Sequence, residues 1–225
     1  MKNMKIVNIK GSNGSGKTTI VKQMLALEPD PIHIARKGEM CYATLIPEAG
    51  WVAVGRYDMD CKMGGCDGLK TVQLMKESIL GALDAAVAFE QATGRGMFGV
   101  VFEGMMISTI KSTFYDFLLG MEAPDVEPLF VILHASPEGC IERIRNRGTM
   151  RKNLNHDNIR SKCELVMRHA KTYDQKYVRY IDVDNTPEAD MLKAFAGRVG
   201  DYRLLARLTS KPVDCRYLEQ PRVML

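Results

Sequence analysis

The feature that most constrains this chain is a strand–loop–helix boundary near its start. The run 4-MKIVNI-9 is apolar and β-branched and reads as a buried strand. A glycine-rich loop, 11-GSNGSGKT-18, follows at once, and 17-KTTIVKQMLAL-27 reads as a helix. The loop fits G-x-x-x-x-G-K-[ST] and sits where that motif has to sit, after a strand and before a helix. Gly11, Gly14 and Gly16 let the backbone curl so that its N–H groups converge on phosphate oxygens, and the helix adds its positive dipole end. Gly11, Ser12, Asn13, Gly14, Ser15, Gly16, Lys17, Thr18 and Thr19 are therefore the candidate nucleotide-binding residues. Lys17 can reach the β- and γ-phosphates, and the Thr18 hydroxyl can ligate Mg²⁺. ATP and Mg²⁺ are the expected cofactors.

The rest of the chain alternates strands with helices. Runs 40–46 and 51–57, joined by 47-PEAG-50, read as a β-hairpin. Leu69, Val72, Met75, Ile79, Leu83 and Val87 recur at three- and four-residue spacing and mark a long helix ending near Thr93-Gly94. Further strands are expected at 97–102, 126–135 and 177–183. Helices are expected over 109–120, 136–147 (started by Ser136-Pro137-Glu138) and 159–176, with another from Thr186. The polar stretch 148–158 reads as a mobile loop, and residues 199–225 form a C-terminal extension without a clear element. The expected fold is α/β: a parallel, P-loop kinase-like sheet flanked by helices on both faces, with a hairpin after the first helix and an arginine-rich lid. With 225 residues, 46% of them hydrophobic, the chain suits one domain spanning 1–225.

Other classes are disfavoured. The longest apolar-leaning stretch, 78–92, is broken by Asp84 and Glu90 and is too short to cross a bilayer. The N-terminus lacks the long apolar region of a secretory signal. The six cysteines are irregularly spaced and read as reduced thiols of a cytoplasmic protein. Cys61 and Cys66 have no histidine pattern beside them to form a metal site.

Ligands of parallel sheets lie at the carboxyl ends of the strands, and three strands end in suggestive groups there: the glycine loop, Glu103 and Asp182/Asp184. Glu103 ends the 97–102 strand there, as a candidate to orient Mg²⁺ or to take a hydroxyl proton. No N/T-K-x-D sequence for reading guanine occurs. Arg143 and Arg147 share a helix face and Arg151 lies in the lid, so they can bring guanidinium groups onto a transferring phosphoryl group. Arg145 points elsewhere. The loop 55-GRYDMDCKMGGCDG-68 is the candidate acceptor side. There Arg56 offers an anion contact, Tyr57 a stacking face, and Asp58 and Asp67 carboxylates for proton abstraction beside Glu103. For Asp60 a turn role is the better reading.

The succession 11-GSNGSGKT-18, 55-GRYD-58, 64-GGCDGLKT-71, 102-FEGMMIS-108 and 140-CIERIRNR-147 resembles the phage 5-hydroxymethyluridine DNA kinases over about residues 4–184. The resemblance implies ATP-dependent phosphorylation of the 5-hydroxymethyl oxygen of 5-hydroxymethyluracil in DNA, in the host cytoplasm, as a step in thymine hypermodification. A small-molecule nucleoside or nucleotide kinase and a P-loop ATPase without an acceptor are the rival readings. Charge bears on the choice. The formal charge is only +4, but residues 141–180 hold eleven Lys/Arg against four Asp/Glu. Arg143, Arg147 and Arg151 are assigned to ATP, and the surplus (Lys152, Arg160, Lys162, Arg168, Lys171) suits a DNA backbone.

Removing one pre-organised charge stabiliser costs about 10²–10³ in rate. Lys17→Ala is expected to abolish useful phosphoryl transfer while leaving the fold intact. Turnover at the unsubstituted rate in that variant would overturn the loop's assignment.

Overall fold

A computed structural model describes residues 4–35, 41–57, 64–146 and 154–210. Among these residues seven strands form one sheet, in the order β2-β3-β4-β5-β1-β6-β7. They are β1 (Met4–Lys10), β2 (Ile32–Ala35), β3 (Cys41–Ile46), β4 (Trp51–Val54), β5 (Gly99–Glu103), β6 (Val126–His134) and β7 (Val178–Asp182). β4, β5, β1, β6 and β7 are mutually parallel. β3 runs antiparallel to β4, as the hairpin requires, and β2 runs antiparallel to β3. The sheet is thus parallel at its centre and antiparallel at one edge. β2 adds a strand to those expected from the sequence. It is short and exposed, with Ile32 48% accessible, so no hydrophobic alternation marks it.

Helices cover both faces. α1 (Lys17–Leu25), α7 (Met191–Val199) and α8 (Tyr202–Ser210) pack on one side, around Val7, Ile9, Trp51 and Phe195. α2 (Val72–Thr93), α3 (Met105–Thr109) and α4 (Lys111–Leu119) pack on the other, around Ile6, Phe102, Phe114 and Phe130. α5 (Pro137–Asn146) and α6 (His156–Lys171) close the β6–β7 end. α2 matches its sequence signals closely. The Thr71 hydroxyl accepts from Leu74 N at 3.1 Å, and Gly94 stops the helix in the left-handed conformation. Ser136 caps α5 by accepting from Gly139 N at 3.1 Å.

Several boundaries need correction. The helix expected over 159–176 ends at Lys171, and the one expected from Thr186 begins at Met191, after a 3₁₀ turn over Glu188–Asp190. The expected lid of 148–158 overlaps α6, which starts at His156. Asn155 caps it by accepting from Asn158 N at 2.9 Å, and Asp157 sits in its first turn. Residues 147–153 lie outside the described residues. The expected helix over 109–120 is preceded by a separate short helix, α3.

The C-terminal extension is partly core. The single tryptophan, Trp51, is fully buried, with Phe98 and Phe195 rings 5.1 and 5.6 Å away. Its Nε1 donates to Asp201 Oδ2 at 2.9 Å, while Asp201 Oδ1 caps α8 by accepting from Leu204 N at 3.1 Å. Arg203 donates to Gly96 O, and Arg207 bridges Glu48 and Leu27 O. Arg207 thus pins α8 to the hairpin turn and to the end of α1, and Arg203 pins it to the segment before β5. Lys211, Arg216 and Arg222 lie outside the described residues.

Asp201→Ala strands the buried indole N–H and removes a cap, which together cost about 2–4 kcal/mol. Urea unfolding followed by Trp51 fluorescence should register that loss. A change below about 0.5 kcal/mol would contradict the proposed anchoring of α8.

Candidate active site

The phosphate loop lies between β1 and α1 at the carboxyl edge of the sheet. Its turns need glycine. Gly14 and Gly16 have φ of 80° and 90°, and a Cβ on Gly14 would overlap the Cys140 carbonyl oxygen of α5. Gly16 is the residue that opens α1. Lys17 folds back over the loop and donates to Gly11 O at 3.0 Å and Ser12 O at 2.8 Å. Asn13 is the exposed tip, and the Ser15 hydroxyl closes the turn on Ser12 O at 2.9 Å. The Ser12 hydroxyl lies 3.2 Å from Cys140 Sγ and 3.0 Å from Cys163 Sγ. The paired thiols split. Hydrogen bonding from Cys163 holds Cys140 down to about 6, and the same pairing pushes Cys163 up.

Glu103 meets this loop because β1 and β5 are parallel and in register, with Ile9 opposite Glu103. Thr18 Oγ1 donates to Glu103 Oε1 at 3.1 Å, and Glu103 is only 2% exposed. The two expected Mg²⁺ ligands are therefore neighbours. Among the described residues no cluster of three or more His, Cys, Asp or Glu gathers as a metal site.

The acceptor-side motifs converge on the same carboxylate. Arg56 and Gly65 form an isolated antiparallel bridge, Arg56 N to Gly65 O at 3.0 Å and Gly65 N to Arg56 O at 2.7 Å. The approach is so close that a Cβ on Gly55 would overlap the Gly65 backbone, and one on Gly65 would overlap Glu103 Oε1. Asp67 accepts from Met105 N at 2.6 Å and Met106 N at 3.0 Å, which caps α3 directly after Glu103. Both of its oxygens thus serve backbone donors. The Tyr57 hydroxyl donates to Val54 O at 3.3 Å, and its ring packs against the core. Burial, with Glu103, Cys66 and Asp67 nearby, pushes that hydroxyl well above its usual pKa. Asp58, Arg147 and Arg151 lie outside the described residues. Beneath the loop Lys10, fully buried, donates to Ile107 O at 2.8 Å and ties β1 to α3. Burial lowers its pKa to about 7.

Arg143 sits behind the phosphate loop. Its Nε donates to Gly14 O at 2.8 Å and its Nη2 to Asp184 Oδ1 at 3.2 Å. Arg145 turns toward His156, 3.3 Å away. A cavity of about 240 Å³ opens beside the loop, walled by Gly16, Thr19, Arg143, Thr186, Glu188 and Met191 among others. Thr19 Oγ1 lies 3.5 Å from Glu188 Oε1, and Gln23 Nε2 donates to Glu188 O at 2.7 Å, joining α1 to the chain after β7. Glu188 is expected from the sequence only as a helix-start residue, whereas Asp184 is expected at the ligand edge from its strand-end position, and the structure sets it against Arg143.

Comparison with known proteins adds the family. The model of the "5-hmdU DNA kinase" family matches residues 2–183. The chain belongs to this family. Its relatives include the 5-hmdU DNA kinase of Bacillus phage SP10, 33% identical over 185 residues, covering 80% of this chain and 27% of that protein. The 5-hmdU DNA kinase 1 of Salmonella phage ViI is 28% identical, covering 73% of this chain and 69% of that one. The 5-hmdU DNA kinase of Pseudomonas phage PaMx11 is 23% identical, covering 82% and 93%. The chain thus spans about a quarter of the Bacillus phage relative and most of the other two. The family match includes every motif that meets at Glu103, and it ends before α7 and α8.

Gly65 has φ +67° and no room for a side chain against Glu103. Gly65→Ala should displace the Glu103 carboxylate from Thr18 and lower turnover on the order of 10²-fold. Steady-state assays check this, with Trp51 fluorescence reporting the fold. Unchanged turnover would mean that the Thr18–Glu103 geometry is not needed.

Proposed function

We propose that this protein transfers the γ-phosphoryl group of ATP to the 5-hydroxymethyl oxygen of 5-hydroxymethyluracil in DNA. The observation that carries the reading is the pairing of Thr18 with Glu103 at the mouth of the phosphate loop, in a chain of the 5-hmdU DNA kinase family. A hydroxyl and a carboxylate are hard oxygen donors and suit Mg²⁺. When bound, Mg²⁺ would neutralise charge on the β- and γ-phosphates.

The other groups take tasks consistent with their positions. Backbone N–H groups of residues 11–18 and the amino end of α1 hold the phosphates. Lys17 exchanges its loop carbonyls for phosphate oxygens. The cavity beside the loop takes the nucleoside part of ATP. The acceptor enters past the 55–57 and 64–67 segments, where Arg56 and Tyr57 line its approach. A proton leaves the acceptor hydroxyl as its oxygen bonds the γ-phosphorus and the bond to the β–γ bridging oxygen breaks, with ADP as the leaving group. Glu103 and Asp58 are the carboxylates assigned to receive it, because Asp67 is held by two backbone donors. Arg147 and Arg151 are assigned to the transferring group.

The DNA backbone would meet α6. Its basic surplus is smaller than the sequence count, because Arg160 pairs with Glu138 and Asp157 at 3.3 and 3.7 Å. Lys162, Arg168 and Lys171 make no ion pair among the described residues, and Arg168 and Lys171 are exposed. None of the described helices is long and apolar enough to cross a membrane.

The deciding experiment offers γ-labelled ATP with an oligonucleotide containing 5-hydroxymethyluracil, and separately with free nucleosides and nucleotides. Label on the oligonucleotide is the expected result. Label on a free nucleotide alone would replace the DNA acceptor with a small one, and phosphate release without any labelled acceptor would make the protein an ATPase. Reversing Arg168 and Lys171 to Glu should weaken oligonucleotide binding and flatten its salt dependence while ATP affinity holds.

A further inference from the structure

Arg143 does not face the phosphate cradle head-on. Its Nε donates to the carbonyl of Gly14 at 2.8 Å, and its Nη2 is held by Asp184 Oδ1 at 3.2 Å. Asp184 is itself anchored, since Oδ2 accepts from Ser136 N at the start of α5 at 2.6 Å. Those hydrogen bonds and the Arg143 charge keep its carboxyl below the usual range despite partial burial. The pair also needs an open space on α5. A Cβ at Gly139 would lie 2.6 Å from Asp184 Oδ1 and 3.2 Å from Arg143 Nη2.

The consequence follows from peptide geometry. The Gly14 carbonyl and the Ser15 N–H belong to one planar trans unit and point in opposite directions. Drawing the carbonyl to Arg143 turns the N–H to the opposite side, where it donates to Ser12 O at 3.3 Å, a long bond that a phosphate oxygen can replace. We propose that Asp184 is a positioning residue that acts through Arg143 to fix the Gly14–Ser15 peptide plane, and so presents the Ser15 N–H to the phosphates of ATP. This rests on the nucleotide reading of the loop given above. It gives Arg143 a task different from direct contact with the transferring group. It also gives the chain just after β7 a part in phosphate binding, although Asp184 is 166 or more residues along the sequence from any member of the 11–18 loop.

The test compares two ligands on the full chain. Asp184→Asn keeps an acceptor for Ser136 N but loses the charge that holds Arg143. It should weaken Mg-ATP binding, measured by titration calorimetry, about 10–100-fold, as expected for loss of a charge-assisted contact. Adenosine, which has no phosphates, should bind within about twofold of its original affinity, and kcat at saturating ATP should stay within about threefold, the pattern of lost uniform binding. Gly139→Ala should give the same split by crowding the pair. The double variant Asp184→Asn/Arg143→Gln should bind ATP no worse than the weaker single variant, because both act through one chain of contacts. Equal losses for ATP and adenosine, or additive losses in the double variant, would overturn the relay. If Asp184→Asn does not fold, Gly139→Ala carries the same comparison. A wild-type chain that binds ATP no more tightly than adenosine would instead overturn the nucleotide reading beneath it.

Discussion

The arrangement depends on the register between two parallel strands. β1 and β5 lie side by side with Ile9 opposite Glu103, so the first strand runs out into the phosphate loop at the level where the second presents its carboxylate. A one-residue slip would turn Glu103 to the other face of the sheet and bring Phe102 to the loop. What holds the register is burial on both faces: Val7 and Ile9 pack toward α1 and α7, and Ile6 packs toward α2 and α3. The chemistry at the sheet edge is therefore specified by apolar residues that never touch a substrate.

The parts legible in the sequence are those whose causes are local. The phosphate loop carries its own glycines, its lysine and its flanking strand and helix. α2 announces itself by spacing, and Thr71 and Gly94 mark its ends. The parts that were not legible have causes far along the chain. α3 is five residues long, and its cap is Asp67, 38 positions earlier. No local pattern could reveal it, and Asp67 read from the sequence as a candidate base for the same reason. β2 is held by pairing to β3 rather than by a buried face. α8 is the exception. Asp201 followed by Leu204, Leu205 and Leu208 is an ordinary cap-and-stripe signal that the sequence reading passed over.

Charge counting shows the same division. Residues 141–180 carry a surplus of seven positive charges, and a linear count treats them as one surface. In the folded chain Arg143 faces Asp184, Arg160 faces Glu138, and Lys176 faces Glu122. Their partners come from outside the helix that carries each cation, or from outside the basic segment altogether. The surplus open to an anionic polymer is the remainder, centred on α6.

The bridge between Arg56 and Gly65 has an implication for how such a site can diversify. Its two backbone hydrogen bonds join Arg56 to Gly65 and depend on no side chain, and the absence of a Cβ on Gly65 lets this backbone lie against Glu103. Exchanges of the Arg56 and Tyr57 side chains can therefore change what meets the Glu103 edge while the backbone bridge beneath them stays as it is.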